Sequence, residues 1–462
     1  MGLVQNEIEE QIEYIKKIKK INNDKKLNYC ILTMGCQLNE NDSEKLCGML
    51  ENMNYVLVDN FEDADLVIFN TCCVRENAED KLFGKLGELK NLKMKKDIII
   101  AIGGCMMQEE HITDKVKKSY PFVDIIFGTH TLHRFPENLY NTIINKNKIN
   151  DVLDIDGKIY EGIPIKRFSN IKASVTIMNG CNNFCSFCIV PYVRGRERSR
   201  SPKDILKEIE DLAMEGYKEI TLLGQNVNSY KGDGEKGIFK FSELLRKVNE
   251  INGIERIKFI SPHPKDFKGD VIEAIRDCEK VSKLIHLPLQ SGSSSLLKIM
   301  NRKYTKEEYI NLVEKMREQI PNVTFSTDII VGFPGESEED FEDTLDVINK
   351  ICYEQVYMFI YSRRVGTLAD KMENQIDDEI KHKRFDKLKQ LVKSQVGENN
   401  KKYLNTSQKI LVEGISKNNK DMLTGRTDSN KIVVFEGKKE CINKMINIQI
   451  TEDHLWYLKG EV

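Results

Sequence analysis

The chain has 462 residues, of which 40% are hydrophobic and 31% are charged, and its formal net charge is −2. This length accommodates about three domains. The balanced charge excludes a uniformly basic nucleic-acid-binding chain, so any such surface must be local. The most apolar run, 97–107, is too short to cross a bilayer, and the first 20 residues contain no uninterrupted apolar stretch that could serve as a signal peptide. We therefore expect a cytoplasmic protein that does not bind membranes.

The segment 27–150 alternates apolar runs with helical patterns. The predicted strands cover 27–33, 64–70 and 96–104, and the predicted helices cover 40–53, 74–90 and the stretch after Met107. This alternation is typical of an open α/β domain with a largely parallel sheet. Residues 1–26 form an N-terminal extension to which the sequence assigns no role.

The segment 167–396 repeats a strand followed by a helix six times. The predicted strands cover 173–178, 219–224, 256–261, 283–289, 323–330 and 355–360. Ser201 and Pro202 open one of the helices and Gly216 closes it. The pattern predicts a partial (βα)6 barrel with its chemistry at the carboxyl ends of the strands.

A basic helix over 380–403 is predicted to link this barrel to the last part of the chain. The segment 399–462 then changes to short alternating runs separated by glycine and asparagine or aspartate. The runs cover 409–416, 421–427, 431–437 and 445–451. This pattern predicts a small antiparallel β-barrel.

Three cysteines, Cys181, Cys185 and Cys188, follow the first predicted barrel strand in a C-x3-C-x2-C spacing. Three thiolates can hold three corners of a four-iron cluster and leave one iron open. An open iron suits the amino and carboxylate groups of S-adenosylmethionine, whose sulfonium bond an electron from the cluster could cleave. Zinc is a weaker interpretation because no second Cys/His pair lies nearby, and inert buried cysteines are a third.

A second set of cysteines is dispersed through the first segment. Cys36, Cys72 and Cys105 each fall just past a predicted strand, and two of them adjoin Gly35 and Gly104, which permit close backbone approach. Three small buried hydrophobic residues are the alternative interpretation of these cysteines.

The longer string MNGCNNFCSFCIVPYVRGRERSRSP resembles the radical S-adenosylmethionine methylthiotransferases, in the branch that modifies N6-isopentenyl-adenosine in tRNA. The resemblance extends over essentially the whole chain beyond the first 25 or so residues. Further matching strings are TMGCQLNENDSE, NTCCVRENAEDK, GGCMMQ, FGTHTLHRFPE, LLGQNVNSY, HLPLQSGS and TDIIVGFPGE.

The resemblance implies two [4Fe-4S] clusters with different roles. One, on Cys181, Cys185 and Cys188, cleaves S-adenosylmethionine, and an auxiliary one is held by the three dispersed cysteines Cys36, Cys72 and Cys105. Cys73 adjoins Cys72 and could compete as a ligand, but the family string N-T-C-x-V-R assigns the role to Cys72. One S-adenosylmethionine would methylate a sulfur on the auxiliary cluster, and a second would give the radical that activates C2 of the base.

Polar residues at the predicted strand ends are expected to contact S-adenosylmethionine. The set consists of Phe187, Gln225, Asn226, Ser261 and Gln290. Phe187 could pack against the cluster or the adenine, and the polar groups could hold the carboxylate, ribose and adenine. The alternative is that these residues only form and cap βα loops. No catalytic side chain is assigned beyond the cluster ligands.

Four arginines follow the cluster motif directly and are expected to contact RNA phosphates or bases: Arg194, Arg196, Arg198 and Arg200. A solvated charged face is the alternative. The C-terminal barrel resembles a TRAM domain, an RNA-binding module, in which Arg426 is a further expected contact. The expected partners are the anticodon stem-loop of tRNA and an electron donor such as flavodoxin or ferredoxin, and the chain is expected to be a monomer.

Two other functions stay open at this point. The same chemistry could act on threonylcarbamoyl-adenosine of tRNA or on a ribosomal protein. The chain could instead be a non-catalytic iron–sulfur protein that binds RNA or transfers electrons. Release of 5′-deoxyadenosine distinguishes the enzyme from that last alternative.

Overall fold

The structure is a computed structural model of the chain, and it describes residues 2–23, 25–73, 77–153, 157–235 and 237–462. The chain divides into two compact units. The first consists of Met1–Phe168, Asn179–Asn182 and Ile189–Arg200, and the second of Ser169–Met178, Asn183–Cys188 and Ser201–Val462.

The first unit is built on a six-stranded sheet in which every strand pair is parallel, in the order β2-β1-β3-β4-β5-β6. The elements in chain order are α1 (Gly2–Asn22), β1 (Leu27–Thr33), α2 (Gln37–Asn52), β2 (Tyr55–Leu57), β3 (Leu66–Thr71), α3 (Asn77–Lys93), β4 (Ile99–Gly104), α4 (Glu110–Ser119), β5 (Ile125–Phe127), α5 (Phe135–Asn145) and β6 (Ile149–Asp151).

Strand β3 shows why this sequence forms a central strand. Leu66 and Ile68 belong to the core on one face of the sheet, while Val67 and Phe69 belong to the core on the other face. All six residues of β3 are buried, so a continuous apolar run is what the position requires. The three predicted strands are confirmed, and β2, β5 and β6 were missed because three-residue strands carry too little pattern.

The N-terminal extension is part of the first unit. Ile15 and Ile18 of α1 join the core that contains Leu46 and Leu50 of α2. The extension therefore has a structural role that the sequence analysis did not assign. The helix predicted over 74–90 is observed as α3, and its first three predicted residues, 74–76, lie outside the described residues.

The second unit contains the predicted barrel, and its six strands are confirmed as two three-stranded parallel sheets, β7-β10-β13 and β14-β15-β16. The elements of the chain from here to the last barrel strand are β7 (Lys172–Thr176), β8 (Met178–Asn179), α6 (Val190–Val193), β9 (Arg198–Ser199), α7 (Pro202–Met214), β10 (Glu219–Leu223), β11 (Lys231–Gly234), β12 (Gly237–Lys240), α8 (Phe241–Glu250), β13 (Arg256–Phe259), α9 (Gly269–Asp277), β14 (Leu284–His286), α10 (Ser294–Ile299), α11 (Lys306–Gln319), β15 (Thr324–Val331), α12 (Glu338–Ile351) and β16 (Gln355–Ile360).

The residues that were expected to begin and end α7 lie at the two ends of the helix. Ser201 precedes the helix, Pro202 occupies its first turn, and Gly216 follows it with a φ of +95°. The Ser201 hydroxyl makes no capping hydrogen bond. The hairpin of β11 and β12 was not predicted, because its strands are rich in glycine and charge.

The C-terminal part of the second unit begins with the predicted linker helix and ends in a closed five-stranded barrel, β17-β18-β19-β21-β20. Its elements are α13 (Asp378–Lys401), β17 (Ser407–Ile415), β18 (Leu423–Arg426), β19 (Ile432–Phe435), β20 (Met445–Asp453) and β21 (Leu458–Glu461). The expected antiparallel pairing is correct except where β19 pairs with β21 in parallel. The parallel pair closes the barrel with a strand that the sequence analysis missed.

In the described parts of the chain, no helix is both long enough and apolar enough to cross a membrane.

Candidate metal centres

The first centre lies at one edge of the six-stranded sheet. Because β1, β3 and β4 are parallel neighbours, their carboxyl ends meet there, and Cys36, Cys72 and Cys105 each follow one of them. Sγ of Cys36 is 3.5 Å from Oδ1 of Asn39, and Sγ of Cys105 is 4.0 Å from the same oxygen. The thiols of Cys36 and Cys72 are hydrogen-bonded. The fold thus brings the three dispersed cysteines together.

Glycines are required beside two of these cysteines. Gly35 has a φ of +118°, and a Cβ added to it would lie 2.3 Å from Cβ of Cys72. Gly104 has a φ of +99°, and a Cβ there would lie 2.3 Å from the carbonyl oxygen of Thr71. Both positions combine a left-handed backbone with a close approach that only glycine permits.

Asn39 holds the middle of this centre and was not singled out from the sequence. Its Nδ2 donates to the carbonyl oxygen of Thr71 at 2.8 Å, and Nδ2 of Asn70 donates to the carbonyl oxygen of Asn39 at 2.8 Å. These bonds fix the side-chain oxygen toward the thiols. The available signal was its position in the first turn of α2, three residues after Cys36.

The pKa values of two thiols of the first centre, those of Cys36 and Cys105, are lowered. The hydrogen bond from Cys72 and the positive charge of Arg194 lower the pKa of Cys36 to about 5. The hydrogen bond between Cys73 and Cys105 lowers the pKa of Cys105 and raises that of Cys73. Thiolates are the ligands of iron–sulfur clusters, so Cys105 is favoured over Cys73 as a ligand.

The donor set fits a cluster better than a single ion. Among the described residues, no three Cys, His, Asp or Glu side chains form a ready site for one metal ion. A structural zinc ion is held by four converging ligands, whereas each cysteine of a four-iron cluster binds a different iron and the sulfurs stand farther apart. Three cysteines at one sheet edge therefore suit a four-iron cluster with one open iron.

The predicted RNA-binding arginines have different environments. Arg194 is buried; its Nε donates to Sγ of Cys105 at 3.1 Å. Arg200 donates through Nε and Nη2 to the two carboxylate oxygens of Glu161 at 2.7 and 2.6 Å. Arg198 donates to the carbonyl oxygen of Arg194 at 3.0 Å, and only Arg196 is exposed. The burial of Arg194 beside a thiol differs from the surface position that an RNA contact requires.

Arg426, the arginine of the C-terminal barrel that is expected to contact RNA, is only partly occupied by contacts within the protein. Nη1 of Arg426 donates to the carbonyl oxygen of Asn430 at 3.0 Å, and its Nε lies 3.5 Å from a carboxylate oxygen of Glu413. Its side chain keeps 31% of its accessible surface. Lys438 and Lys439 of the same barrel are exposed.

The motif of Cys181, Cys185 and Cys188 forms a tight loop that follows β7 and β8. The N–H of Cys188 donates to the carbonyl oxygen of Cys185 at 2.9 Å, and Phe184 has a φ of +48°. Nδ2 of Asn301 donates to the carbonyl oxygen of Phe184 at 2.8 Å. A side chain more than a hundred residues away therefore clamps the loop backbone. Cys181 belongs to the first unit, where its N–H donates to the carbonyl oxygen of Gly195 at 3.1 Å.

Arg302, beside the cysteine loop, was also not singled out from the sequence. It is buried, and its Nη1 donates to Sγ of Cys185 at 3.4 Å. Nη2 donates to the carbonyl oxygen of Pro288 and Nε to the hydroxyl of Tyr304, both at 2.8 Å. The guanidinium thus places a fixed positive charge against one predicted cluster ligand.

Several buried polar atoms near the loop have no hydrogen-bond partner. They are both side-chain atoms of Asn183, Oγ of Ser186 and the hydroxyl of Tyr361. Buried polar groups without partners are rare in native proteins because each costs about 1–3 kcal/mol. Such groups fit a polar cofactor that would supply their hydrogen bonds.

The residues predicted to contact S-adenosylmethionine follow β10, β13 and β14 or lie in the cysteine loop. Ser261 and Gln290 have left-handed backbones, with φ of +57° and +75°. Such strain concentrates at functional sites. Nδ2 of Asn226 donates to Asp266 at 2.9 Å, and Gln225 is half-buried. The Phe187 ring packs edge-on to that of Phe333, with centroids 6.4 Å apart.

Three family models match the chain. They are the radical SAM superfamily over residues 175–348, the uncharacterized protein family UPF0004 over 28–128, and the TRAM domain over 401–462. Among solved structures, the radical S-adenosylmethionine methyltransferase TsrM from Kitasatospora setae is similar at 15% identity. Its TM-score is 0.55, with 75% of this chain and 77% of that chain covered. This likeness shows the fold alone.

Curated relatives match over nearly the whole chain. A tRNA-2-methylthio-N(6)-dimethylallyladenosine synthase of Acetivibrio thermocellus is 52% identical over 99% of this chain and 96% of its own length. A synthase of the same name from Clostridium beijerinckii is 55% identical over 95% of this chain and 96% of its own length. The chain therefore belongs to the family of tRNA-2-methylthio-N(6)-dimethylallyladenosine synthases, which are radical S-adenosylmethionine enzymes.

Proposed function

We propose that this chain transfers a methylthio group to C2 of N6-isopentenyl-adenosine beside the anticodon of tRNA, using S-adenosylmethionine and two [4Fe-4S] clusters. The observation that carries the proposal is the sheet edge where Cys36, Cys72 and Cys105 meet, in a chain that also carries a separate radical motif. One centre suffices to cleave S-adenosylmethionine, so a second centre gives a place for the transferred sulfur. The names of the curated relatives support the same nucleoside.

Cys181, Cys185 and Cys188 would hold the radical cluster. When bound there, the cluster would supply the electron that breaks a carbon–sulfur bond of S-adenosylmethionine. Arg302 orients the Cys185 sulfur and holds the Pro288 carbonyl group. The same guanidinium therefore links a cluster ligand to the strand end that leads to Gln290.

The unpartnered atoms of Asn183, Ser186 and Tyr361 would bind the polar groups of S-adenosylmethionine. Ser261 and Gln290, whose backbones are left-handed, would contribute from the strand ends. Phe187, edge-on to Phe333, offers an apolar surface near the same loop. These groups bind and orient the cofactor, and none of them transfers a proton in this proposal.

Cys36, Cys72 and Cys105 would hold the auxiliary cluster, which would carry the sulfur to be methylated. Cys72 and Cys105 are buried, and Cys36 alone of the three is exposed. Asn39 fixes the geometry between them through its bonds to the ends of the neighbouring strands. The buried cysteines protect the centre from water, and the Cys36 side is where a substrate base would approach.

Exposed and partly exposed cations would bind the tRNA at its anticodon stem-loop. Arg196 is the exposed arginine of the run after the cysteine motif, and Lys438, Lys439 and Arg426 belong to the C-terminal barrel. Lysine and arginine side chains bind phosphates with little sequence preference. The target base must leave its stack to reach the chemistry.

We also propose an electron donor, an oligomeric state and three functional segments for this chain. The electron donor is a flavodoxin or ferredoxin, and the protein acts as a cytoplasmic monomer. The functional segments are 27–150 for the auxiliary cluster, 167–396 for the radical chemistry and 399–462 for RNA.

The decisive test of the chemistry uses the reconstituted protein, a strong reductant, S-adenosylmethionine and an anticodon stem-loop RNA that carries N6-isopentenyl-adenosine. We expect 5′-deoxyadenosine together with a methylthio-modified nucleoside, both measured by liquid chromatography and mass spectrometry. An RNA with unmodified adenosine at that position is the control. Absence of 5′-deoxyadenosine would favour the non-catalytic alternative, and 5′-deoxyadenosine without modified RNA would point to a different substrate.

A further inference from the structure

The run of four arginines contains one residue whose position an RNA contact does not explain. Arg194 is only 6% exposed, and its guanidinium lies beside the cysteines of the first centre. Nε donates to Sγ of Cys105 at 3.1 Å, and Nη2 donates to Oδ2 of Asp42 at 2.8 Å and to Oδ1 of Asn39 at 3.2 Å. The guanidinium therefore donates from its Nε–Nη2 edge to one sulfur and to two oxygens.

The backbone around Arg194 is fixed, so this arrangement is not that of an adaptable surface side chain. The N–H of Arg194 donates to the carbonyl oxygen of Val190 at 2.8 Å. The hydroxyl of Thr129 donates to the carbonyl oxygen of Val193 at 2.7 Å. Val193 also packs in one apolar cluster with Cys73 and Cys105. Helix α6 is thereby anchored against the cysteines, and it delivers the guanidinium to them.

The charges around Arg194 indicate that its contact with the Cys105 sulfur helps to stabilise the buried guanidinium. Burial of a guanidinium costs free energy that one carboxylate recovers only in part, and Asp42 is the carboxylate here. Cys105 is a second partner of the buried guanidinium, because Nε–H of Arg194 donates to its Sγ at 3.1 Å.

We propose that Arg194 is a positioning residue of the auxiliary centre, which holds the Cys105 sulfur as the ligand in preference to Cys73 and raises the reduction potential of the centre. Hydrogen bonds and positive charge at a ligand sulfur stabilise the reduced, more negative state of an iron–sulfur cluster. This inference rests on the auxiliary cluster of the proposed function. Asp42 partly neutralises the guanidinium and so acts in the opposite sense.

The test isolates the auxiliary centre in a protein whose Cys181, Cys185 and Cys188 are all replaced by alanine. After reconstitution, this parent is expected to keep iron and sulfide, and its midpoint potential is measured by redox titration followed by electron paramagnetic resonance. Arg194→Gln is expected to shift the midpoint to a more negative potential, and Asp42→Asn to a more positive one. Arg196→Gln removes the same charge from an exposed position two residues away and is expected to leave the potential unchanged.

Arg194→Lys covers the case in which the glutamine variant loses its cluster. A lysine keeps the charge, so we expect it to retain the cluster with an intermediate potential, while thermal unfolding matches the parent. Equal potentials and equal iron content in the parent and Arg194→Gln would overturn the inference and leave the auxiliary cluster standing. Loss of the cluster in both variants, with a lowered melting temperature, would also overturn it by showing a purely structural role. An iron-free parent would overturn both this inference and the two-cluster function.

Discussion

Arg302 donates from Nη1 to Sγ of Cys185 across 3.4 Å, from a fully enclosed position. Arg194 makes the corresponding contact with Cys105 in the first unit at 3.1 Å. Each predicted centre thus has one buried arginine directed at one ligand sulfur. The two arginines come from different parts of the chain, one from each unit.

We predict that Arg302→Gln lowers the rate of 5′-deoxyadenosine formation by about tenfold or more. The variant loses a charge-assisted bond to Cys185 and the support of the Pro288 carbonyl group, and such bonds are worth about 1.5–3 kcal/mol each. The rate is measured in the reduced, reconstituted enzyme. Arg276→Gln, on the exposed surface of α9, is the matched control and is expected to keep the rate. An Arg302→Gln enzyme with an unchanged rate would remove Arg302 from the radical site.

Cys36→Ala separates the two centres by activity. We expect this variant to form 5′-deoxyadenosine but no methylthio nucleoside, because Cys36 belongs only to the auxiliary set. Both products are measured in one reaction by mass spectrometry. Cys352→Ala, which replaces an exposed cysteine of the second unit, is expected to form both products. A fully active Cys36→Ala enzyme would exclude the auxiliary cluster from the mechanism.

Gly35→Ala tests the close approach at the first centre. Its φ of +118° and a Cβ only 2.3 Å from that of Cys72 make alanine strained in two ways, and we expect a loss of stability of at least about 1 kcal/mol. The displaced Cys72 should also lower the iron content of the auxiliary centre. Gly87→Ala is the control, because Gly87 is exposed in α3 with open space around it. It is expected to keep the iron and to gain up to about 1 kcal/mol.

Much of this architecture follows from local patterns in the sequence. The three main strands of the first unit and the six of the barrel lie in sequence runs rich in apolar residues, and the predicted ligand cysteines follow the ends of some of these strands. Local patterns cannot predict contacts between residues that are far apart in the sequence. Asn39 lies only three residues after Cys36. Arg194 and Cys105, by contrast, are separated by 89 positions in the sequence, and Arg302 and Cys185 are separated by 117.

Arg194 shows where a local interpretation fails. A run of four arginines is typical of a phosphate-binding surface, but Arg198 and Arg200 have different partners from Arg194. Burial depends on the fold that surrounds a side chain and not on its neighbours in sequence. For the same reason β21 was missed, since its pairing with β19 depends on closure of the barrel.

The pH dependence of folding provides a test in the first unit. Burial lowers the pKa of His133 to about 4, and the ring stacks on Tyr160 with centroids 3.5 Å apart. Because folding favours the neutral ring, its contribution is complete above the unfolded-state pKa and is lost as the pH falls toward 4. At pH 5 this loss is about 2 kcal/mol.

His133→Phe keeps a ring against Tyr160 and removes the titration. The free energy of unfolding of the iron-free proteins is measured at pH 7 and at pH 5. The wild-type protein should lose about 2 kcal/mol more than the variant between these two values. Parallel losses in the two proteins would contradict the buried, neutral histidine.

The most direct test of the central claim is mass spectrometry of nucleosides from total tRNA, prepared from cells with and without the gene. The account predicts that the 2-methylthio form of N6-isopentenyl-adenosine disappears without the gene and that N6-isopentenyl-adenosine accumulates. A plasmid copy should restore the modification, and a copy with Cys36→Ala should not. An unchanged level of the 2-methylthio nucleoside in cells that lack the gene would contradict the proposed substrate.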